Sequence, residues 1–211
     1  MSPGRLETFA DGVFAIAATL LILDVHAGGQ LSRSLVHDWP SYVAYAVSFI
    51  TIGIIWMNHH AIFSQVRHVD RMFLLLNVLF LMLVAFIPFP TSLIASHLQH
   101  SGLKEAALTY GATLTITAIF FNALWFYASL GGGRLLRPDA DLRVVRGISR
   151  SYIPGPFIYL IATHVAFASP NASVILYAVI AIFYIFENSV FGRSPSLRRA
   201  GRRTGAVEEA S

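Results

Sequence analysis

Four long stretches of this sequence contain no Asp, Glu, Lys or Arg: residues 39–66, 72–103, 106–133 and 151–186. Each stretch is longer than the roughly 20 apolar residues that cross a bilayer as an α-helix. Over the 211 residues, 55% are hydrophobic and only 12% are charged, whereas soluble domains carry about 25% charged residues. This composition argues against a soluble cytosolic enzyme and a disordered protein. Because the chain has no cysteine, it also argues against a secreted disulfide scaffold.

The apolar stretches predict an all-α membrane protein with six transmembrane helices per subunit, since helices satisfy their own backbone hydrogen bonds in lipid. The last stretch is long enough for two helices and is divided by the turn signal at Ser169, Pro170 and Asn171. With an N-terminal segment added, the predicted helices cover residues 6–25, 41–64, 72–95, 105–130, 151–169 and 172–191. We therefore expect one six-helix transmembrane domain over residues 1–192 and a basic cytoplasmic tail over residues 193–211.

The basic residues predict the orientation of these helices. All of the 15 Lys and Arg residues except Arg33 and Lys104 fall in the N-terminus, the second and fourth loops and the tail, which lie on one side of the predicted bundle. The positive-inside rule then places both termini in the cytoplasm, with the plasma membrane as the compartment if the source is bacterial. We interpret the Arg-rich tail as an orientation signal that contacts membrane lipids, with no nucleic acid and no soluble partner expected.

The first helix differs from the others because Asp11 and Asp24 flank a short apolar run at residues 12–23. Acidic side chains are costly at membrane depth, so we expect this helix to lie inside the bundle or to line an aqueous path. Two other interpretations stay open. The acids can lie at the two headgroup levels of a tilted helix, or the segment can be a signal peptide, against which the acidic Glu7 and Asp11 argue.

One face of the first helix is predicted to be a stripe of large apolar side chains, at Phe9, Ile16, Leu20 and Leu23. At about 100° per residue these positions lie within about 60° of one another. Thr19 lies at the margin of the stripe, and Asp11 points about 140° away from Ile16. By periodicity alone such a stripe is far more typical of an ordinary helical core, so it gains meaning only if several copies face a common axis.

Polar residues cluster where the second helix ends and the third begins, at Trp56, Asn58, His59, His60 and Asn77. Their N–H groups could satisfy the carboxylate of Asp11, which is predicted at the same end of the bundle. Such a cluster is typical of a contact that packs helices together. It is also compatible with a proton or ion site, because intramembrane His and Asp are the usual components of one.

Arg5, Phe9 and Asp11 form an R-x-x-x-F-x-D pattern that resembles the R-x-x-x-F-S-D signature of the transmembrane protein 175 family, the endolysosomal-type potassium channels and their bacterial relatives. Ala10 replaces the serine of that signature, which removes a hydroxyl group. Further features within residues 1–90 also look like this family: Trp56, Asn58, His59 and His60, then Asp70, Arg71 and Asn77, and the Pro88-Phe89-Pro90 sequence.

The resemblance implies a homotetramer in which the first helix of each subunit lines a central pore. It places the narrowest apolar ring at Ile16, further rings at Leu20 and Leu23, and a hydroxyl layer at Thr19. An apolar ring gates by dewetting and lacks the carbonyl cage of a T-V-G-Y-G filter. We therefore expect a potassium-permeable, modestly K⁺-selective channel that uses K⁺ as the permeating ion, with no cofactor, no metal and no catalysis.

Three alternatives remain at this stage. A proton- or cation-coupled secondary transporter would use Asp11 together with His59 and His60. An intramembrane metalloenzyme built on the two adjacent histidines is disfavoured, because a metal site needs several ligands in one layer and the other histidines are scattered along the chain. The third alternative is a purely structural membrane protein.

Overall fold

The computed structural model describes residues 3–25, 38–133, 135–140 and 142–191, so the predicted tail at 193–211 lies outside the described residues. The fold is all-α, as predicted. Its elements in chain order are α1 (Pro3–Leu20), a 3-10 turn (Leu21–Asp24), α2 (Trp39–Gln65), α3 (Arg71–Phe86), α4 (Pro88–His97), α5 (Leu103–Gly133), α6 (Leu142–Tyr152), α7 (Pro154–Ala168) and α8 (Pro170–Phe191).

Five helical segments are long and apolar enough to cross a membrane: Pro3–Leu23, Trp39–Gln65, Arg71–His97, Leu103–Ser129 and Val145–Ala168. A shorter apolar helix, Pro170–Phe186, follows them. These six segments correspond to the six predicted helices. Their apolar side chains suit a lipid environment, and their helical backbone leaves few polar groups to be satisfied there.

The sequence predicts one helix over residues 72–95, but the structure divides this segment into two helices. The interruption falls at Ile87, because Pro88 has no backbone N–H and its ring collides with the preceding turn. The helix axis nevertheless continues, since Ile87 N donates to Val84 O at 3.1 Å and the hydroxyl of Thr91 donates to Ile87 O at 2.9 Å. Helices α3 and α4 therefore act together as one membrane-crossing segment.

The fourth loop, which the sequence presents as a basic connection, contains the short helix α6. Val145 and Ile148 pack against the hydrophobic core, whereas Arg146 and Arg150 are exposed. This separation of apolar and charged side chains is typical of an amphipathic helix at a surface.

Two loops meet at one end of the bundle. Arg67 N donates to Leu135 O at 2.8 Å, and Arg137 N donates to Gln65 O, also at 2.8 Å. These backbone hydrogen bonds join the α2–α3 loop to the segment that follows α5. Both loops therefore lie at the same end, as the predicted topology requires.

The core is built around α5, which packs against α3, α4, α7 and α8, while α1 packs against α2 and α3. At Gly111 the helices approach so closely that a Cβ atom would collide with the side chains of Tyr177 and Thr163. The Tyr177 hydroxyl occupies this space and donates to Ala107 O at 3.0 Å. Glycine at this position therefore permits the contact of α5 with α7 and α8.

Candidate functional site

Helix α1 has two distinct faces. One face is buried against α2 and α3 and consists of Leu6, Ala10, Phe14, Ala17 and, in the 3-10 turn, Leu21. These residues recur every three or four positions, which is the spacing of one face of an α-helix. The remaining face of α1 is therefore left available to surroundings outside the single chain.

The predicted apolar stripe lies on this available face. The side chains of Ile16 and Leu23 are 61% and 65% exposed, and those of Phe9 and Leu20 are also exposed. Apolar residues elsewhere on the bundle are exposed as strongly, for example Ile161 on α7 at 64%. The α1 stripe differs from them because the same helix also carries Glu7 and Asp11.

Thr19 is exposed beside the stripe and uses its hydroxyl hydrogen within its own helix. Its Oγ1 lies 2.9 Å from the carbonyl oxygens of both Ala15 and Ile16. A hydroxyl has one hydrogen to donate and two lone pairs that accept. The lone pairs of the exposed Thr19 oxygen can therefore still accept a hydrogen bond from water.

The acidic residues of α1 make two parallel contacts with α2, one helical turn apart. Trp56 Nε1 donates to Asp11 Oδ1 at 2.8 Å, and His60 Nδ1 lies 2.8 Å from Glu7 Oε1. The helices run antiparallel, so the spacing of four residues on α1 matches the spacing of four on α2. Glu7 was not among the predicted site residues, although its i, i+4 relation to Asp11 signals that the two share a face.

His59 is buried and belongs to a different contact. Its Nε2 lies 2.8 Å from Asn77 Oδ1 on α3. Its ring stacks on Phe63, at 4.5 Å between centroids, and on Phe80, at 5.6 Å, with Phe14 of α1 at 5.4 Å. This aromatic cluster around one polar pair joins α1, α2 and α3.

The predicted polar cluster therefore divides into two separate groups. Among the described contacts the donor to Asp11 is Trp56 and not a histidine, and the residue that His60 contacts is Glu7. Asn58 lines a cavity between α2, α5 and α7, and its backbone carbonyl oxygen accepts from the hydroxyl of Tyr152 at 3.3 Å. Arg5 is exposed near the start of α1.

Within the part of the chain that the structure describes, no three His, Asp or Glu side chains come close enough to hold a metal ion. The acidic and imidazole groups near α1 are instead engaged in pairs. Their arrangement holds helices together and leaves the apolar stripe with Thr19 as the surface that α1 offers to other molecules.

This fold and this site define a multi-pass α-helical membrane protein whose acidic first helix keeps one apolar face uncovered. Residues 5–88 match the sequence model of a family described as endosomal/lysosomal potassium channel TMEM175. A potassium channel of Chamaesiphon minutus is 42% identical over 193 residues, which are 88% of this chain and 95% of that protein. The chain belongs to the TMEM175 family.

Two further comparisons bear on the family. The crystal structure of a lysosomal potassium-selective channel TMEM175 homolog from Chamaesiphon minutus matches with a TM-score of 0.80 and 40% identity, over 88% of this chain and 97% of that chain. The endosomal/lysosomal proton channel TMEM175 of Gallus gallus is 35% identical over 154 residues. This chain covers 31% of the length of that animal protein, and the match includes 66% of this chain.

Proposed function

We propose that this chain is the subunit of a potassium channel whose pore is lined by the α1 stripe of several copies. The observation that carries the proposal is the exposed line of Ile16, Leu20 and Leu23 on α1, which also carries Glu7 and Asp11, in a chain that matches a potassium channel along most of its length. A helix that contacts only lipid needs no acidic residues. If several copies surround a shared axis, the apolar face of α1 lines that axis and its acidic contacts hold α1 against α2.

The geometry supports a hydrophobic constriction at Ile16. A ring of isoleucine side chains has no oxygen to replace hydration water, so it passes an ion only when it is wide enough to stay wet. K⁺ releases its hydration water more easily than Na⁺, and partial dehydration at this ring therefore favours K⁺. The outward oxygen of Thr19, close to the ring, supplies a polar contact beside it.

The proposed assembly is a homotetramer in the cell membrane with both termini in the cytoplasm. One chain presents a single stripe, which lines a pore only when copies surround an axis. The joined loops at 65–67 and 135–137 lie together at the end that carries most of the basic residues, which supports a cytoplasmic position for that end.

Proton permeation is a second candidate function, favoured by the name proton channel of the related Gallus gallus protein. A coupled carrier that relays protons from Asp11 to His59 or His60 has less support. The described hydrogen bonds pair these three residues with Trp56, Asn77 and Glu7 and do not connect them to one another.

A bi-ionic reversal potential on purified protein in a planar bilayer tests the proposal. With K⁺ on one side and Na⁺ on the other, we expect single-channel currents that reverse toward the K⁺ equilibrium potential. A reversal that follows an imposed pH gradient would favour proton permeation. Saturating uptake coupled to pH, without unitary current, would contradict the channel and favour a carrier.

A further inference from the structure

Helix α6 places two arginines at the edge of the bundle. Arg146 and Arg150 are one turn apart and exposed, while Val145 and Ile148 hold the opposite face of the helix against the core. The membrane-crossing segment Val145–Ala168 begins at this point. The two guanidinium groups therefore lie at its end, where lipid phosphates are found and where long basic side chains reach the headgroups.

Hydrogen bonds fix α6 relative to the helices beneath it. Trp125 Nε1 of α5 donates to the hydroxyl of Ser149 at 2.8 Å. At the end of α6, the Tyr152 hydroxyl donates to the carbonyl of Asn58 on α2 at 3.3 Å. Helix α6 is consequently held beside the space between α2, α5 and α7.

That space is a cavity of about 70 Å³. Ile55, Leu114 and Phe121 form part of an apolar wall, and Ser151 and Tyr152 of α6 belong to the same lining, so the cavity adjoins Arg150. One water molecule needs only about 10–15 Å³. A cavity of this size, apolar on one side and beside a basic surface, suits an amphiphile better than a single water.

Asn122 also lines the cavity and connects two of its walls. Its Nδ2 donates to the carbonyl oxygens of Ala118, at 2.9 Å, and Tyr152, at 3.0 Å. Because both partners are carbonyls, the orientation of the amide is determined. The side chain therefore joins α5 to the end of α6 and fixes the position of α6 beside the cavity.

We propose that α6 and this cavity form a binding site for an anionic phospholipid. Its phosphate binds Arg146 and Arg150, and its acyl chain lies along the apolar wall. Phosphatidylglycerol and phosphatidic acid both have these features, whereas phosphatidylcholine has no net negative charge.

Native mass spectrometry of the delipidated full-length protein in detergent tests the site, with these three lipids titrated separately. We expect phosphatidylglycerol and phosphatidic acid to bind more tightly than phosphatidylcholine. Arg146→Gln and Arg150→Gln should each weaken binding of the two anionic lipids by about five-fold. Lys104→Gln, which removes a basic residue from the opposite end of α5, is the control and should change nothing.

Equal affinity for phosphatidylglycerol and phosphatidylcholine would overturn the proposal. An equally large effect of Lys104→Gln would also overturn it, since binding would then follow net charge and not this surface.

Variants of Gly155, which lies in the cavity lining, distinguish the contribution of the cavity to lipid binding from that of the arginines. A Cβ atom there would meet only ordinary contacts, the nearest being the Tyr184 hydroxyl at 3.8 Å, so Gly155→Ala should bind lipid as the unmodified protein does. Gly155→Leu fills the cavity and should weaken phosphatidylglycerol binding. Unchanged binding by a Gly155→Leu protein that melts at the same temperature as Gly155→Ala would overturn occupation of the cavity.

Discussion

Ile16 and Asp11 lie on the same helix and do different things. The Asp11 carboxylate accepts from Trp56 Nε1 at 2.8 Å and holds α1 against α2. Together with the packing of the buried Ala10 and Phe14, this contact sets the rotation of α1 about its axis, with Ile16 facing outward. We therefore expect a change at Ile16 to affect conduction and a change at Asp11 to affect assembly.

Replacement of Ile16 by the smaller alanine should widen the proposed constriction. We expect Ile16→Ala to raise single-channel conductance and to move the bi-ionic reversal potential toward zero, because a wider ring stays wet and dehydrates ions less. The matched control is Ile161→Ala, which truncates an equally exposed isoleucine on α7. If both variants keep the original reversal potential, Ile16 does not form the constriction.

Replacement of Asp11 should weaken the contact between α1 and α2. Asp11→Ala leaves Trp56 Nε1 without its acceptor, whereas Asp11→Asn keeps an oxygen in place, so the alanine variant should show the larger loss of assembled protein by size-exclusion chromatography. Hydrogen bonds of this kind contribute about 1 kcal/mol, and exposure reduces the effect further. Asp139→Ala, in an exposed loop, serves as the control. Equal elution profiles for all three variants would contradict the role of Asp11.

At the scale of helices, close packing of α5 with α7 and α8 depends on the missing side chain of Gly111. The hydroxyl of Tyr177 on α8 donates a hydrogen bond to the carbonyl oxygen of Ala107 on α5, so these two helices are joined at their close contact. Only small residues allow such an approach between membrane helices.

Gly111→Ala should destabilise the protein by about 1–3 kcal/mol or more, because the added methyl displaces Tyr177 and Thr163. Thermal unfolding in detergent measures the effect. Gly53→Ala on α2 is the control: no atom lies within 4 Å of its added Cβ, and alanine favours a helix over glycine by about 1 kcal/mol. A lower unfolding temperature in the Gly53 variant than in the Gly111 variant would refute this account.

The apolar segments and the α1 stripe can be predicted from the sequence because both depend on local spacing and on the absence of charge. Helix α6 is harder to predict from the sequence, because its arginines are typical of a basic loop and only Val145 and Ile148 indicate an apolar helical face. The pairing of His60 with Glu7 depends on how α1 and α2 rotate against each other. That rotation depends on how Ala10 and Phe14 pack against other helices, which the sequence of α1 alone does not reveal.

For the molecule as a whole, the two ends of the bundle differ in charge and in connection. The end with the joined loops carries Arg67 and Arg137, and the other end carries Lys104. The proposed orientation makes the first end cytoplasmic.

The absence of cysteine from the sequence makes this orientation directly measurable. Single cysteines introduced as Asp139→Cys and Ser101→Cys lie in exposed turns at opposite ends of α5. In intact cells an impermeant maleimide should label Ser101→Cys and leave Asp139→Cys unlabelled until the membrane is permeabilised. The reverse pattern would invert the proposed topology.

The hydrogen bonds between residues 65–67 and 135–137 also set an order for biosynthesis. The α2–α3 loop leaves the ribosome well before Leu135 and Arg137 are translated, so its end of α2 stays exposed to water until α5 has been inserted. Closure of this connection is then a late event that follows insertion of the first four apolar segments. A nascent chain that stops before residue 135 would therefore hold α2 and α3 in the membrane without the backbone contact that joins them to α5.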